Sequence, residues 1–255
     1  MQIGKAGAPV THIAKAYPDR VEVRGRDLTR DLMGRVTFTE YVHLLVTGRE
    51  PTEEQTFFLD LLLVSIAEHG LMPTNVAARM TLAADPGSVH GAVAAGILGA
   101  GPVVLGTAEE CARLLAEAHA SGRTAEELAR EYSQSGRKLP GFGHPLHRPV
   151  DPRAERILEL ARERGIEGTH VPLARELGDH VVDTRGNRLP MNVSMPIAAV
   201  MLDLGFPVSA VKAVPILART AGLLAHLVEE QEEPIGFLLA AKAEEAIVYE
   251  PPPSD

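Results

Sequence analysis

Gly141-Phe142-Gly143-His144-Pro145-Leu146-His147-Arg148-Pro149-Val150-Asp151-Pro152-Arg153 is the stretch from which the rest of this chain is read. A glycine on either side of Phe142 lets the backbone approach a ligand closely or take torsions that a side chain would forbid. His144 follows at once, a group able to give or take a proton near neutral pH. Asp151 reads as a helix N-cap and Pro152 as the first helical position, so Arg153 opens a helix. A histidine in a rigid loop and an arginine at a helix N-terminus together suit an anionic oxygen ligand. Local features leave two other readings open. One is a turn with a surface histidine and a well-capped helix; the other is a metal site, because His144 and His147 are spaced as a ligand pair. The single cysteine and the lack of a second paired cluster weigh against metal, and none is expected.

Outward from that stretch, 255 residues suffice for one large domain or two small ones, and 45% hydrophobic residues suffice for a core. A net charge of −9 argues against nucleic acid or an anionic membrane surface as partner, while local arginines can still bind small anions. Cys111 stands alone, so no disulfide framework is expected, which fits a reducing, cytoplasmic setting. The start, MQIGKAGAPV, has no apolar signal-like core, and no uncharged apolar run of roughly eighteen residues suggests a membrane span. Aromatic residues make up only 4% and alanine and leucine dominate, a composition for closely packed helices.

The chain then divides into helical segments. Residues 1 to 26 read as irregular, with one short strand near Val21. Helices are expected over Phe38–Val46, Thr52–Glu68, two segments between Thr74 and Ala100 broken at Asp85-Pro86-Gly87, Thr107–Ala120 and Thr124–Gln134. Thr52 with Gln55 and Thr124 with Glu127 have capping-box spacing. Further helices are expected over Asp151–Arg164, His170–Val182, Met191–Leu204 (apolar nearly all round, hence buried) and Ser209–Gln231, kinked at Pro215. Asp183–Asn187 reads as a turn, and a short helix precedes a disordered-looking PPPSD. The expectation is an all-α fold.

GFGHxxxxxxDPRA resembles the signature of the citrate synthase superfamily, which includes citrate and methylcitrate synthases, citryl-CoA lyases and the lyase module of ATP-citrate lyase. The resemblance runs from about Arg24 to Phe237, and the short N-terminal part is similar to citryl-CoA lyases. It implies a single citrate synthase-like unit: a large helical domain, about 1–105 and 190–255, a small one, about 106–189, and an active site in the cleft. It also implies a homodimer. By the same resemblance His69 binds the keto acid, and His144 bonds the oxygen at the carbon where the bond is made or broken. Arg153 and Arg219 clamp carboxylates, with Arg219 in a stretch similar to the family's ARTxGxxAH. Gly141, Phe142 and Gly143, with Arg137, Lys138 and Arg148, would hold coenzyme A.

Two departures matter. Where citrate synthases carry Gly-Pro-Leu-His-Gly-Gly-Ala-Asn, this chain has Gly101-Pro102-Val103-Val104-Leu105-Gly106-Thr107-Ala108, without the histidine that polarises acetyl-CoA. Where the family has Asn-Val-Asp, this chain has Asn192-Val193-Ser194, and a serine without a partner is no general base. Asp203 is too far along the helix to stand in, and after Arg219 the nearest basic residue is Lys242. The expected partners are a small carboxylate and an acyl-CoA, with Asn192 on the substrate and Ser194 at the reacting centre. The expected activity is that of a citryl-CoA-lyase-like enzyme joining or cleaving an acyl-CoA and a 2-keto dicarboxylic acid such as oxaloacetate. The alternatives are a pseudoenzyme that binds citrate or CoA, and a citrate or methylcitrate synthase.

Overall fold

The computed structural model describes residues 9–182 and 186–252. The first three residues of the expected Asp183–Asn187 turn and the last three of PPPSD lie outside the described residues. The chain forms two compact units, 1–60 and 61–255.

The first unit carries a three-stranded antiparallel sheet, β1 (Ala14–Ala16), β2 (Val21–Val23) and β3 (Arg26–Asp27), where one strand in irregular chain was expected. Strands of two or three residues are too short to show an alternating pattern. Their connection rests on Arg24 and Gly25, both at positive φ (49° and 79°), a pair of left-handed residues that turns β2 back on β3. A five-residue π-helical turn follows at Leu28–Leu32, capped by Asp27. Val23, Leu32 and Leu44 form the small core of this unit together with α1 (Phe38–Thr47). Helix α2 (Glu53–Ala67) begins with the expected Thr52–Gln55 exchange of bonds, 2.9 and 3.2 Å.

The second unit is helical. α3 (Pro73–Ala84) and α4 (Val89–Leu98) pack together, and α11 (Ala213–Glu232) lies on both. α12 (Gly236–Ala246) covers α3. Ala78, Leu82, Ala92, Leu223 and Leu227 make the apolar seam of this group. Around α9 (Ser194–Asp203) pack α5 (Thr107–Ser121), α7 (Pro152–Glu163) and α8 (His170–His180); α6 (Ala125–Ser135) lies on α8. Residues 194–201 of α9 are buried on every face, as its apolar sequence requires.

Two helices depart from the sequence pattern. The helix expected from Met191 starts only at Ser194, because residues 190–192 are extended and pair with the 141–143 loop: Gly143 N–H donates to Pro190 O (2.7 Å) and Asn192 N–H to Gly141 O (2.9 Å). The helix expected over Ser209–Gln231 is broken at Lys212 into α10 (Val208–Val211) and α11. Pro215 therefore lies in the first turn of α11, where its missing N–H costs no helical bond. Among the described residues, Val208–Glu232 is the segment long and apolar enough to cross a membrane by length and hydropathy. That segment carries a buried arginine and packs on α3 and α4.

Candidate active site

The site is assembled by helix periodicity and by one close approach. Arg219, Gly222 and His226 are spaced i, i+3, i+7 on α11 and share one face. A Cβ at Gly222 would lie 2.2 Å from the carbonyl oxygen of Ala67, so only glycine lets α11 press onto the end of α2. That contact brings Arg219 and His226 to Glu68 and His69, which follow α2 directly. From α3, Asn75 and Arg79 (i, i+4) complete the wall. Arg219 Nη1 donates to Asn75 Oδ1 (3.0 Å), and Asn75 Nδ2 donates to Glu68 (3.1 Å) and to Gly70 O (2.9 Å). Glu68 also accepts from the backbone N–H groups of His69 and Gly70 and lies 3.2 Å from His226 Nε2. His226 Nδ1 in turn sits 3.0 Å from Arg79 Nη1. An arginine must donate, so Nδ1 accepts and the His226 proton lies on Nε2, toward Glu68. Burial would push the Glu68 carboxyl up, but the His226 and backbone bonds hold it below its ordinary value.

Opposite this wall stands the 141–153 loop. Gly141 is needed for two reasons: its φ is +83°, and a Cβ there would lie 2.8 Å from both Cys111 Sγ and Met195 Cβ. It therefore backs onto the core, and the residues that face outward are Phe142, Gly143 and His144. Asn192 bridges the loop to α9, its Nδ2 donating to Gly143 O (3.1 Å) and its Oδ1 accepting from Ser194 N–H (3.1 Å). Expected on the substrate, the Asn192 amide thus braces the loop. Asp151, wholly buried, caps α7 and takes Nε and Nη2 of Arg153 as a fork (3.0 and 2.8 Å). Burial alone would raise the Asp151 carboxyl; the Arg153 fork keeps it below its ordinary value. Arg153 is thereby fixed in orientation, with Nη1 left outside the fork.

The rings of His69 and His144, far apart in sequence, lie 5.3 Å apart, and His147 joins them at 5.2 and 4.4 Å. His144 Nδ1 accepts two backbone N–H groups, from Leu146 (3.1 Å) and His147 (2.9 Å). Its proton is therefore on Nε2, which makes it a hydrogen-bond donor to whatever enters the site. His69 Nε2 and His147 Nε2 share one hydrogen bond of 3.0 Å. Burial lowers the pKa of both His69 and His144, and the nearby Arg153 and His147 add to it, so both rings are neutral near pH 7.

These three histidines are the one group among the described residues with ligating atoms close enough together for a metal. The donor set does not fit one. A ligating histidine donates its other N–H outward, whereas His144 Nδ1 already accepts, so binding through Nε2 would demand an imidazolate.

Arg219 is 3% exposed. Its Nε is buried without a hydrogen-bond partner among the described residues, and its Nη2 reaches only Ile66 O at 3.4 Å. Burial pulls its pKa down; Glu68 counters this and Arg153 adds to it. A guanidinium left in this state is suited to a carboxylate ligand.

On the acyl side, Ser194 is 8% exposed at the start of α9. The surrounding carboxylates are committed: Asp151 to Arg153, Glu68 to His226 and Asn75. Asp203 is bound by Thr169, His170 and Val171 N–H at the start of α8. A cavity of about 960 Å³ opens beside the loop, lined by Phe142, Gly143, His144, Arg137, Lys138 and Arg148. Lys242 lies on α12, paired with Glu245 (2.6 Å). The family resemblance marked His69, His144, Arg153, Arg219 and Ser194; it gave no role to Glu68, which follows α2, or to Asn75 and Arg79, whose only signal is their i, i+4 spacing on α3.

Comparison with known proteins gives one family. The profile for the citrate synthase C-terminal domain matches residues 37–236. The citrate synthase of Saccharolobus solfataricus is 28% identical over 205 residues, 77% of this chain and 54% of its own length. The chain spans about half the length of the curated relatives it matches. The structure of citryl-CoA lyase from Hydrogenobacter thermophilus is similar over 98% of this chain and 97% of its own, at 30% identity and a TM-score of 0.87. ATP citrate lyase from Methanothrix soehngenii, solved with citrate and coenzyme A, shares the fold over 98% of this chain and 43% of its own, at 20% identity and a TM-score of 0.80.

Proposed function

From the premise that this chain belongs to the citrate synthase family, we propose that it is a citryl-CoA-lyase-like enzyme. It cleaves or forms the carbon–carbon bond between an acyl-CoA and a 2-keto dicarboxylic acid such as oxaloacetate. The observation that carries this reading is Arg219, a buried guanidinium with an unpartnered Nε beside His69 and within electrostatic reach of Arg153. Two arginines of fixed orientation bind the carboxylates of a dicarboxylic acid, and His144 Nε2–H donates to the oxygen at the bond being broken. Coenzyme A takes the cavity beside Phe142 and Gly143, its phosphates near Arg137, Lys138 and Arg148. The higher structural similarity to the Hydrogenobacter lyase, at a TM-score of 0.87, than to the citrate synthase of Thermotoga maritima, at 0.66, supports a lyase over a synthase, as does Val104 at the place of the synthase histidine.

The proposal includes a cytoplasmic homodimer, whose contact surface includes Leu98 on α4 and Leu224 and Val228 on α11, all exposed. It keeps a large part, about 1–105 and 190–255, and a small part, about 106–189, with α9 as the seam between them, since it packs on α5, α7 and α8. The test is direct: purified protein is given citryl-CoA, and oxaloacetate is followed by coupled reduction. Cleavage well above background is expected.

Ser194 favours a second reading, a binding subunit without turnover, since no uncommitted carboxylate among the described residues replaces the family aspartate. In that case citrate raises the melting temperature, citryl-CoA is not cleaved, and Ser194→Asp gains activity. Loss of a measurable wild-type activity in Ser194→Asp would end this second reading.

A further inference from the structure

We propose that His147 is a catalytic residue, forming with His69 a two-imidazole proton carrier that takes the substrate hydroxyl proton and returns it to the acyl carbon. The inference rests on the lyase reading above.

Three nitrogens, one from each histidine, lie within 4.8 Å of one another. The loop fixes one of them: His144 Nδ1 is occupied by two backbone N–H groups, so Nε2–H can only donate. A base for the hydroxyl must therefore be found elsewhere. His69 and His147 share a single hydrogen between their Nε2 atoms at 3.0 Å, so the ring that donates it keeps its lone pair on Nδ1 and the ring that accepts it carries its own hydrogen on Nδ1. The site then offers the His144 Nε2–H as a donor and one imidazole lone pair of the His69–His147 pair as an acceptor, the set required to deprotonate a hydroxyl while stabilising the carbonyl it becomes. The carboxylates nearby are tied to Arg153, His226 and Asn75, and Ser194 has no basic partner among the described residues.

The step balances without any other reactant. The hydroxyl proton passes to the Nδ1 lone pair of the ring that donates the shared hydrogen, and the oxygen's electron pair forms the ketone. The bond to the thioester's α-carbon breaks, leaving its electrons in a thioester enolate. The enolate carbon then takes the proton back from the imidazole–imidazolium pair, which returns to its starting state. His144 donates to the oxygen throughout. In this way a chain with serine at position 194 closes the proton circuit with two imidazoles in place of an imidazole and a carboxylate.

The experiment compares wild type, His147→Gln and His147→Ala in citryl-CoA cleavage. A second measurement follows exchange of the acetyl-CoA methyl hydrogens with D₂O in the presence of oxaloacetate, which reports the carbon protonation step alone. Both rates are expected to fall by about 10²–10⁴ in His147→Gln. Citrate binding, measured by calorimetry, is retained, and added imidazole restores part of the rate in folded His147→Ala. Cleavage by wild type with rates kept to within about threefold in His147→Gln overturns the carrier and leaves the lyase reading intact. Failure of imidazole to restore a folded, citrate-binding His147→Ala overturns it as well. Absence of cleavage by wild type overturns the lyase reading and the carrier together.

Discussion

Arg79 on α3 and Arg219 on α11 are almost equally hidden, 2% and 3% exposed, and they sit in opposite electrostatic company. Arg79 meets Glu230 at 2.7 Å and Glu229 at 2.5 Å, while Glu230 also accepts the N–H groups of Ile235 and Gly236. Burial would lower the Arg79 pKa, but its two carboxylates hold it above the ordinary value; for Arg219 burial wins and the pKa falls. The first arginine is satisfied by the chain itself, and its partners lie about 150 residues away, so it ties α3 to α11 and to the start of α12. The second has an amide oxygen, a distant carbonyl and an orphan Nε. A protein that pays for burying two cations and pairs only one has left the other for a ligand.

The comparison predicts effects of different kinds. Arg79→Met leaves Glu230 buried and uncompensated, so denaturant unfolding should show a loss of about 3–5 kcal/mol. Arg219→Met removes an uncompensated charge and one bond to Asn75, so its stability should change by about 1 kcal/mol. Its citrate affinity, read by calorimetry, should instead fall by about 2–5 kcal/mol. An Arg219 variant as unstable as the Arg79 variant would make both arginines structural and break the contrast.

A weaker effect is expected between the two. Glu68 joins His226, which Arg79 bonds, to Asn75, which Arg219 bonds. Glu68→Gln keeps the shape and removes the charge from a partly exposed group, so about 1 kcal/mol of citrate affinity should be lost, with little change in folding. Equal loss from a distant surface glutamate would dissolve the link.

Acid sharpens the contrast further. His69 and His144 have folded pKa values below the unfolded value near 6.5. Below that pH the unfolded chain takes up their protons first, so stability falls on acidification from about pH 6.5. The lowered carboxyls of Glu68, Asp151 and Glu230 contribute stability above their unfolded values, and it is lost as the pH drops through their folded ones. Melting curves should therefore fall in two stages, near pH 6 and again below about pH 4.5. The first stage should shrink in a His69→Gln variant.

Much of this was legible before any fold was known. Capping spacing and apolar patterning gave the helices, because Thr124 with Glu127 or the unbroken apolar run of α9 is local information. Arg153, Arg219, His69 and His144 were legible through their motifs. The small sheet was not, since two- and three-residue strands carry no period. Nor was the late start of α9, which is decided by pairing between residues 190–192 and 141–143. The chain from Arg79 through His226 and Glu68 to Asn75 depends on Gly222 letting α11 reach Ala67, a contact 155 residues long that no local pattern announces. His147 was visible only as one half of a pair with His144; its bond to His69 belongs to the fold.

Cys111 gives the molecule a built-in reporter. The sole sulfhydryl lies directly beneath Gly141, fully buried, its ionisation pushed well up by the dry surroundings. A thiol so placed reacts with an alkylating reagent only when the loop above it lifts. Its labelling rate is thus a clock for the opening of the very segment that carries His144 and Arg153, read without any added probe. A bound dicarboxylate that holds the loop down should make that clock run slow.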